Sequence, residues 1–174
     1  MTTKEIKQLV KVLQSGDMTV FDDIYHHTKN IVYYTIFNIL KDSNMSEDIM
    51  QDTYLKALEK IHYYKPTHSF KSWIVTIARN LALNEYNKRK KDMNVDITVD
   101  EYVFGSVESS SEKEMMIKEM LTTLDKIERE IVVLHVIGDL KHREIAEIVE
   151  KPLGTVTWLY NQAIKKLKSK YESR

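Results

Sequence analysis

The sequence predicts an all-α fold, because apolar residues recur at helical spacing along most of the 174-residue chain. No stretch keeps a period of two for long, and neither Asn-Gly nor Asp-Gly, the usual hairpin dipeptides, occurs. Residues 92–111 break the helical period, and they are acidic and rich in serine. We therefore expect two small helical domains, residues 1–91 and 113–174, joined by a flexible acidic linker over residues 92–112.

Four apolar stripes predict four helices in the first domain. The first stripe stops at Gly16, as a helix with a C-terminal glycine would. The third opens after Asn44 or Ser46, either of which would serve as its N-cap, and the fourth follows Pro66. In chain order, the stripes begin with Ile6, Leu9, Val10, Leu13; Phe21, Ile24, Tyr25, Thr28; Met50, Tyr54, Ala57, Leu58; and Phe70, Trp73, Ile74, Ile77.

The last third of the chain predicts a helix, a break at Gly138, a short helix from about His142, a turn over residues 151–154 and a long helix. This order is typical of a helix-turn-helix, whose second helix enters the major groove of DNA. An ordinary helical hairpin without a ligand would give the same pattern. The residues that would point outward from the long helix are Thr155, Thr157, Trp158, Asn161, Gln162 and Lys165.

Composition excludes several classes of site. There is no cysteine, so disulfides and thiolate zinc sites are excluded. The 4 glycines lie at least 16 residues apart, which excludes the P-loop, the dinucleotide-binding fingerprint and the nucleophile elbow. The longest uncharged run, residues 152–164, is too short to cross a bilayer, and the N-terminus lacks an apolar signal core. We expect a cytoplasmic protein with no catalytic activity, no cofactor, no metal site and no direct membrane insertion.

The net charge of zero hides a strong polarity along the chain. Residues 65–91 carry 7 basic groups and 1 acidic group, whereas residues 92–114 carry 1 basic and 7 acidic groups. Such blocks are often solvated faces or linkers. A basic block beside an acidic segment also fits a surface that binds phosphates.

Two groups of residues then carry a family resemblance. In the C-terminal part they are Leu124, Glu128-Arg129, Glu144-Ile145-Ala146, Gly154-Thr155-Val156, Ala163 and Leu167. This part resembles the fourth conserved region of bacterial RNA polymerase sigma factors. Upstream, residues 46–49, 51–52, 73–74 and 77–80 resemble the second conserved region. The extra first and third regions of large sigma factors are missing, which matches the compact extracytoplasmic-function (ECF) group.

The resemblance implies that the third helix docks on the clamp of the largest polymerase subunit. Asp48, Asp52, Leu55 and Glu59 share one helix face at spacings of 4, 3 and 4. Carboxylates can accept paired hydrogen bonds from arginines on a partner helix. A solvated acidic face would have the same sequence. The residues expected to bind core polymerase are Glu47, Asp48, Gln51, Asp52, Leu55 and Glu59.

The resemblance also implies that the basic block reads and melts the −10 promoter element. Cationic side chains there would neutralise phosphates, and asparagines would offer amides to extruded bases. Trp73 could stack on a base, but its place on the apolar stripe favours packing in the core. The residues expected to bind −10 DNA are Lys65, His68, Ser69, Lys71, Arg79, Asn80, Asn84, Asn87, Lys88 and Arg89.

The long helix of the second domain would read the −35 element by the same resemblance, and this domain would meet the flap of the second-largest polymerase subunit. Trp158, Leu159, Gln162 and Ile164 stand where the family often has Ser, Arg, Arg and Arg. Base reading would therefore rest on Thr, Trp, Asn and Gln side chains, with lysines for charge. The residues expected to bind −35 DNA are Lys151, Gly154, Thr155, Thr157, Trp158, Asn161, Gln162 and Lys165.

The sequence thus predicts a sigma factor that binds core RNA polymerase, recognises −10 and −35 elements and directs promoter-specific initiation. The resemblance also implies that an anti-sigma factor regulates the protein. The alternative is a stand-alone helix-turn-helix regulator that binds duplex DNA without core polymerase. A helical adaptor that binds no DNA is a third interpretation.

Overall fold

The computed structural model describes residues 3–93 and 122–172. These residues form seven α-helices and no strand, which confirms the predicted all-α class. Most of the predicted linker, residues 94–112, lies outside the described residues. The fourth helix continues to Met93, two residues beyond the predicted end of the first domain.

The first half of the chain contains four helices: α1 (Thr3–Gln14), α2 (Phe21–Leu40), α3 (Ser43–Lys60) and α4 (Phe70–Met93). Short 3₁₀ helices, Met18–Val20 and Ile61–Tyr63, precede α2 and follow α3. The N-cap of α3 is Asp42, whose carboxylate accepts the Met45 N–H at 3.0 Å, so the expected Asn44 or Ser46 cap is wrong. Lys41 takes a left-handed conformation that ends α2, and α3 therefore starts only two residues later.

The predicted apolar stripes meet in a core between the four helices. Tyr54 and Thr28 add a buried polar link, a hydrogen bond of 2.7 Å between α3 and α2. Burial of these side chains supplies most of the favourable free energy of folding of this half. The core comprises Ile6, Val10, Leu13, Ile24, Val32, Ile36, Ile39, Leu40, Tyr54, Ala57, Ile61, Tyr64, Phe70, Ile74, Ala78 and Ala82.

The second half contains α5 (Lys126–Val132), which runs into a π-helical turn (Val133–Ile137), and then α6 (His142–Ile148) and α7 (Leu153–Glu172). Asp125 and Glu128 form a capping box at the start of α5. The helix-turn-helix is thus present, but its turn, residues 149–152, lies two residues earlier than expected, because Leu153 and Gly154 already belong to α7.

The two halves share a core rather than lying apart. Ile31 of α2 and Val75 of α4 are 2% and 0% exposed, and they pack in one cluster with Ile131, Leu134 and Ile145 of the second half. The end of α2 is buried on every face, which explains its nearly continuous apolar sequence IVYYTIFNIL. None of the described helices combines the length and the apolar character that a bilayer crossing requires.

Candidate nucleic-acid interface

Helix α3 presents the expected acidic face to solvent. Asp48, Gln51, Asp52 and Glu59 are exposed, as is Glu47, and the Leu55 side chain is 65% exposed in their midst. The opposite face of α3 is held in the core, and its buried residues include Ser46, Thr53, Tyr54 and Ala57. An apolar side chain on the same helix face as several carboxylates is a surface suited to a partner helix with apolar and cationic side chains.

Tyr64 anchors the loop that joins α3 to α4 from its buried side. This buried phenol donates a hydrogen bond of 2.8 Å to the backbone carbonyl of His68, and burial raises its pKa. At the start of α4, Ser69 Oγ accepts the Ser72 N–H at 3.2 Å. Trp73 packs against Tyr64 and is half-buried, as its place on the apolar stripe predicted. The loop is therefore fixed in position, with Lys65 and His68 exposed.

One face of α4 carries exposed amides. Asn80, Asn84 and Asn87 are exposed at spacings of 4 and 3, followed by exposed Lys88 and half-buried Arg89. Helical spacing places these groups in one row along the helix. Such a row can offer hydrogen bonds to bases and cations to phosphates.

Arg79, by contrast, faces the second half of the chain. Its Nε donates to Glu130 Oε1 at 2.7 Å, and the two side chains are 17% and 7% exposed. Lys71 points the same way, and its Nζ donates to the backbone carbonyl of Gly138 at 3.3 Å. Two residues expected to bind phosphates are thus engaged within the chain.

The loop before α4 meets the second half as well. Ser69 Oγ donates to Glu144 Oε1 at 2.5 Å, and His68 Nδ1 lies 3.3 Å from Glu147 Oε2. Both glutamates belong to α6. Sequence reasoning missed these contacts, since their partners lie 75 and 79 residues apart and no local pattern connects them.

Helix α7 turns its polar face outward. Thr155, Asn161 and Lys165 are exposed, as are Lys151 and Gly154 before and within its first turn. The Trp158 side chain is 60% exposed. Thr157 and Gln162 are half-buried. The buried face carries Val156, Ala163 and Leu167.

A ring cluster beneath the start of α7 was not predicted. The rings of His135, His142 and Tyr160 lie 4.7 to 4.8 Å apart, and His142 Nδ1 lies 3.3 Å from Thr157 Oγ1. Burial and then the neighbouring His135 lower the pKa of His142. Through His142, the cluster thus contacts the Thr157 side chain from the buried side of α7. Among the described residues, no group of three or more His, Asp or Glu side chains is arranged to hold a metal ion.

Comparison with known proteins finds a family match in each half of the chain. The family model for Sigma-70 region 2 matches residues 24–92, and that for Sigma-70 region 4 matches residues 114–167. The ECF RNA polymerase sigma factor SigW of Bacillus subtilis is 28% identical over 165 residues, covering 87% of this chain and 88% of SigW. SigM of the same organism is 29% identical over 159 residues, covering 88% of this chain and 96% of SigM.

Solved structures show the same fold. CnrH, solved in complex with the cytosolic domain of CnrY, superposes with a TM-score of 0.65 at 18% identity, covering 95% of this chain and 96% of CnrH. The sigma factor RpoE, solved with the anti-sigma factor NepR from Bartonella quintana, gives 0.62 at 20% identity, covering 95% and 96%.

A helical half with an exposed acidic face, joined to a helix-turn-helix, defines a two-part promoter-recognition protein. The chain belongs to the sigma-70 family, and within it to the ECF sigma factors. It binds core RNA polymerase and directs promoter-specific transcription initiation, as predicted from the sequence. The region 2 match over the first half favours a sigma factor over the stand-alone regulator.

Proposed function

We propose that three surfaces of the chain have separate roles in initiation: one binds core polymerase, one recognises the −10 element and one recognises the −35 element. The α3 face, Glu47, Asp48, Gln51, Asp52, Leu55 and Glu59, docks on the clamp of the largest polymerase subunit. The observation that carries this assignment is Leu55, whose side chain is 65% exposed on the helix face that also carries Asp52 and Glu59. An exposed leucine contributes to binding only when a partner covers it, because only then is its apolar surface removed from water.

The basic block, residues 65–91, reads the −10 element. Lys65, Lys88 and Arg89 neutralise phosphates, and Lys71 and Arg79 do so once they leave Gly138 and Glu130. The contribution of these contacts falls as salt rises. His68, Ser69, Asn80, Asn84 and Asn87 supply hydrogen bonds to bases that have left the stack. The fixed loop before α4 supports this role, since a loop that is already ordered binds an extruded base without a further cost in loop entropy.

Helix α7 reads the −35 element. Lys151, Lys165 and the backbone at Gly154 contact phosphates, while Thr155, Thr157, Trp158, Asn161 and Gln162 face the major groove. Charge for this contact is limited, since Lys166 is paired with Glu128 at 2.6 Å. The second half also meets the flap of the second-largest subunit. Promoter binding therefore depends on core polymerase rather than on free DNA affinity.

The remaining assignments rest on family membership. The chain acts without catalysing a reaction, needs no cofactor or metal, and works in the cytoplasm, where core polymerase is found. Its domains are residues 1–91 and 113–174, with a linker over 92–112. An anti-sigma factor regulates it, a proposal supported by CnrH and RpoE, which were solved with CnrY and NepR respectively.

Run-off transcription with purified core polymerase and a genomic promoter library tests this function. Wild-type chain should yield transcripts that core polymerase alone does not. Asp48→Ala and Gln51→Ala should reduce core binding and transcript yield together while leaving the melting temperature unchanged, because both side chains are exposed. Asp22→Ala, an equally exposed position on α2, is the matched control. Absence of transcripts with wild-type chain and any promoter would reject the function.

A further inference from the structure

The Thr157 hydroxyl on α7 is hydrogen-bonded to a side chain of a different helix. Its Oγ1 lies 3.3 Å from Nδ1 of His142, the first residue of α6. Thr28, Thr53 and Thr76 instead donate their hydroxyl hydrogens to the backbone carbonyl four residues earlier in their own helices. Within the described parts of the chain, Thr157 makes no such bond to its own helix. Its orientation is therefore set by His142.

The His142 ring is held in one orientation by two neighbouring rings. His135 of the π-helical turn and Tyr160 of α7 both have their ring centroids 4.8 Å from that of His142. His135 is itself fixed, because its Nδ1 donates to the Leu140 carbonyl at 2.8 Å. Packing on both sides leaves the His142 ring little freedom to turn, so its Nδ1 stays directed at Thr157.

The surroundings of the second ring nitrogen decide which tautomer His142 adopts. Its Nε2 is buried and has no hydrogen-bond partner among the described residues. Buried N–H groups without an acceptor are rarer in proteins than buried acceptors without a donor, so the proton belongs on Nδ1. Burial and then His135 lower the pKa of His142, which keeps the ring neutral at neutral pH. The His142 Nδ1–H therefore donates to Thr157 Oγ1.

This hydrogen bond directs the one hydrogen that the Thr157 hydroxyl can donate. Because Oγ1 accepts from His142, the hydroxyl hydrogen points away from α6, and none of the described residues accepts it. In the major groove, guanine, adenine and thymine each offer an acceptor, whereas cytosine offers only its amino donor. A hydroxyl hydrogen that meets a donor is left without a partner, which lowers affinity.

We propose that His142 is a positioning residue for recognition of the −35 element. It touches no base itself. By donating to Thr157 Oγ1, it directs the threonine hydroxyl hydrogen to the DNA, and Thr157 therefore rejects cytosine at the base that it meets. The inference rests on the proposed function of α7 as the reader of the −35 element, and it adds a base preference to that function.

Promoter selection tests this role with holoenzyme reconstituted from core polymerase and the full-length chain. The library carries a randomised −35 element, and the bound fraction is sequenced. At one position, wild-type holoenzyme should bind promoters with cytosine about fivefold more weakly than promoters with any other base. Thr157→Val keeps the shape of the side chain but removes the hydroxyl, and should abolish this difference at that position only. Because the readout is a ratio between promoters, a smaller fraction of folded protein does not change it.

Two substitutions of His142 separate hydrogen-bond donation from packing. His142→Asn keeps an N–H close to the place of Nδ1 but lacks the ring, and should still reject cytosine. His142→Phe keeps the ring but has no donor, and should lose the rejection. His142→Phe/Thr157→Val should show no further loss, since both changes remove one interaction. Rejection of cytosine that is retained by His142→Phe and lost by His142→Asn would assign the ring to packing and overturn the proposal.

Thr155 provides the matched control, because it is an exposed threonine on the same helix. The effects of Thr155→Val and His142→Phe on the base preferences should add independently, and coupling as strong as that with Thr157 would contradict a specific link to Thr157. A wild-type chain without base preference anywhere in the −35 element would reject the proposed function of α7. Base preference without rejection of cytosine would overturn only the role of His142.

Discussion

Lys166 on α7 donates hydrogen bonds of 2.6 Å to both carboxylate oxygens of Glu128 on α5. Glu128 is only 3% exposed, and it also accepts the Asp125 N–H as part of the capping box. One side chain therefore stabilises the start of α5 and joins it to α7. This arrangement places the recognition helix on the rest of the second half.

Substitution of Glu128 should destabilise the second half. Glu128→Ala removes the cap partner and both hydrogen bonds, at a cost of about 2 kcal/mol. Urea unfolding followed by circular dichroism should show a lower midpoint than wild type. Glu150→Ala, an exposed glutamate between α6 and α7, is the control and should unfold like wild type. Coincident curves for the two variants would contradict the role of Glu128.

Leu55 should be a main contributor to core-polymerase affinity. Leu55→Ala removes an apolar side chain that is 65% exposed in the free chain, so affinity should fall about tenfold with no change in melting temperature. Surface plasmon resonance with immobilised core enzyme measures the effect. Met18→Ala, which shortens another apolar side chain at 52% exposure, should bind like wild type. Equal loss in both variants would point to general surface hydrophobicity instead of a docking site.

Trp158 should contribute to recognition of the −35 element. The exposed indole offers apolar contact to thymine methyl groups, and Trp158→Ala should weaken holoenzyme binding about tenfold on a promoter with its own −35 sequence. On the same promoter with a scrambled −35 sequence, variant and wild type should bind alike. Val136→Ala, at a side chain 63% exposed outside α7, serves as control. A loss that persists on the scrambled promoter would assign Trp158 to another role.

The stability of the chain should rise with pH above neutrality because of Lys41. Burial, and then the charges of Arg129 and Lys126, lower the pKa of Lys41 from its usual 10.5 to about 7. Between these two values the unfolded chain binds a proton at this site that the folded chain does not, so unfolding becomes less favourable as pH rises. The thermal midpoint should be higher at pH 9 than at pH 6.5.

Lys41→Met isolates this effect, because it keeps the aliphatic stem and removes the charge. The variant should gain stability over wild type, mostly at pH 6.5, and its pH dependence should be flatter. His142, whose pKa is also lowered, titrates in both chains and cancels in the comparison. An identical pH dependence for the two chains would show that Lys41 does not titrate in this range.

The helices and their buried faces could be predicted from the sequence. The stripes through Ile6, Ile24, Tyr54 and Ile74 are buried as expected, since a helix that packs on one side repeats its apolar residues with its own period. The exposed faces of α3 and α7 follow from the same periodicity. Their roles as docking and reading surfaces came from the family resemblance, because an acidic stripe alone does not distinguish a partner from solvent.

The N-cap of α3 was predicted wrongly, because neighbouring residues compete for the same capping position. Asp42 caps α3 in place of Asn44 or Ser46, because the left-handed Lys41 ends α2 early enough for Asp42 to reach the Met45 N–H. Several residues in such a segment can serve as a cap. The geometry of the preceding helix end decides which of them does.

The sequence by itself determined the helical class, the two signatures and the residues on each polar face, because periodicity and charge are local properties of the chain. Only the tertiary structure decided that Arg79 meets Glu130 and that Ile31 packs beside Gly138. These contacts join residues 51 or more positions apart, and no local pattern specifies which buried face meets which. The basic block that looked like a free phosphate-binding surface is therefore partly paired with carboxylates of its own chain.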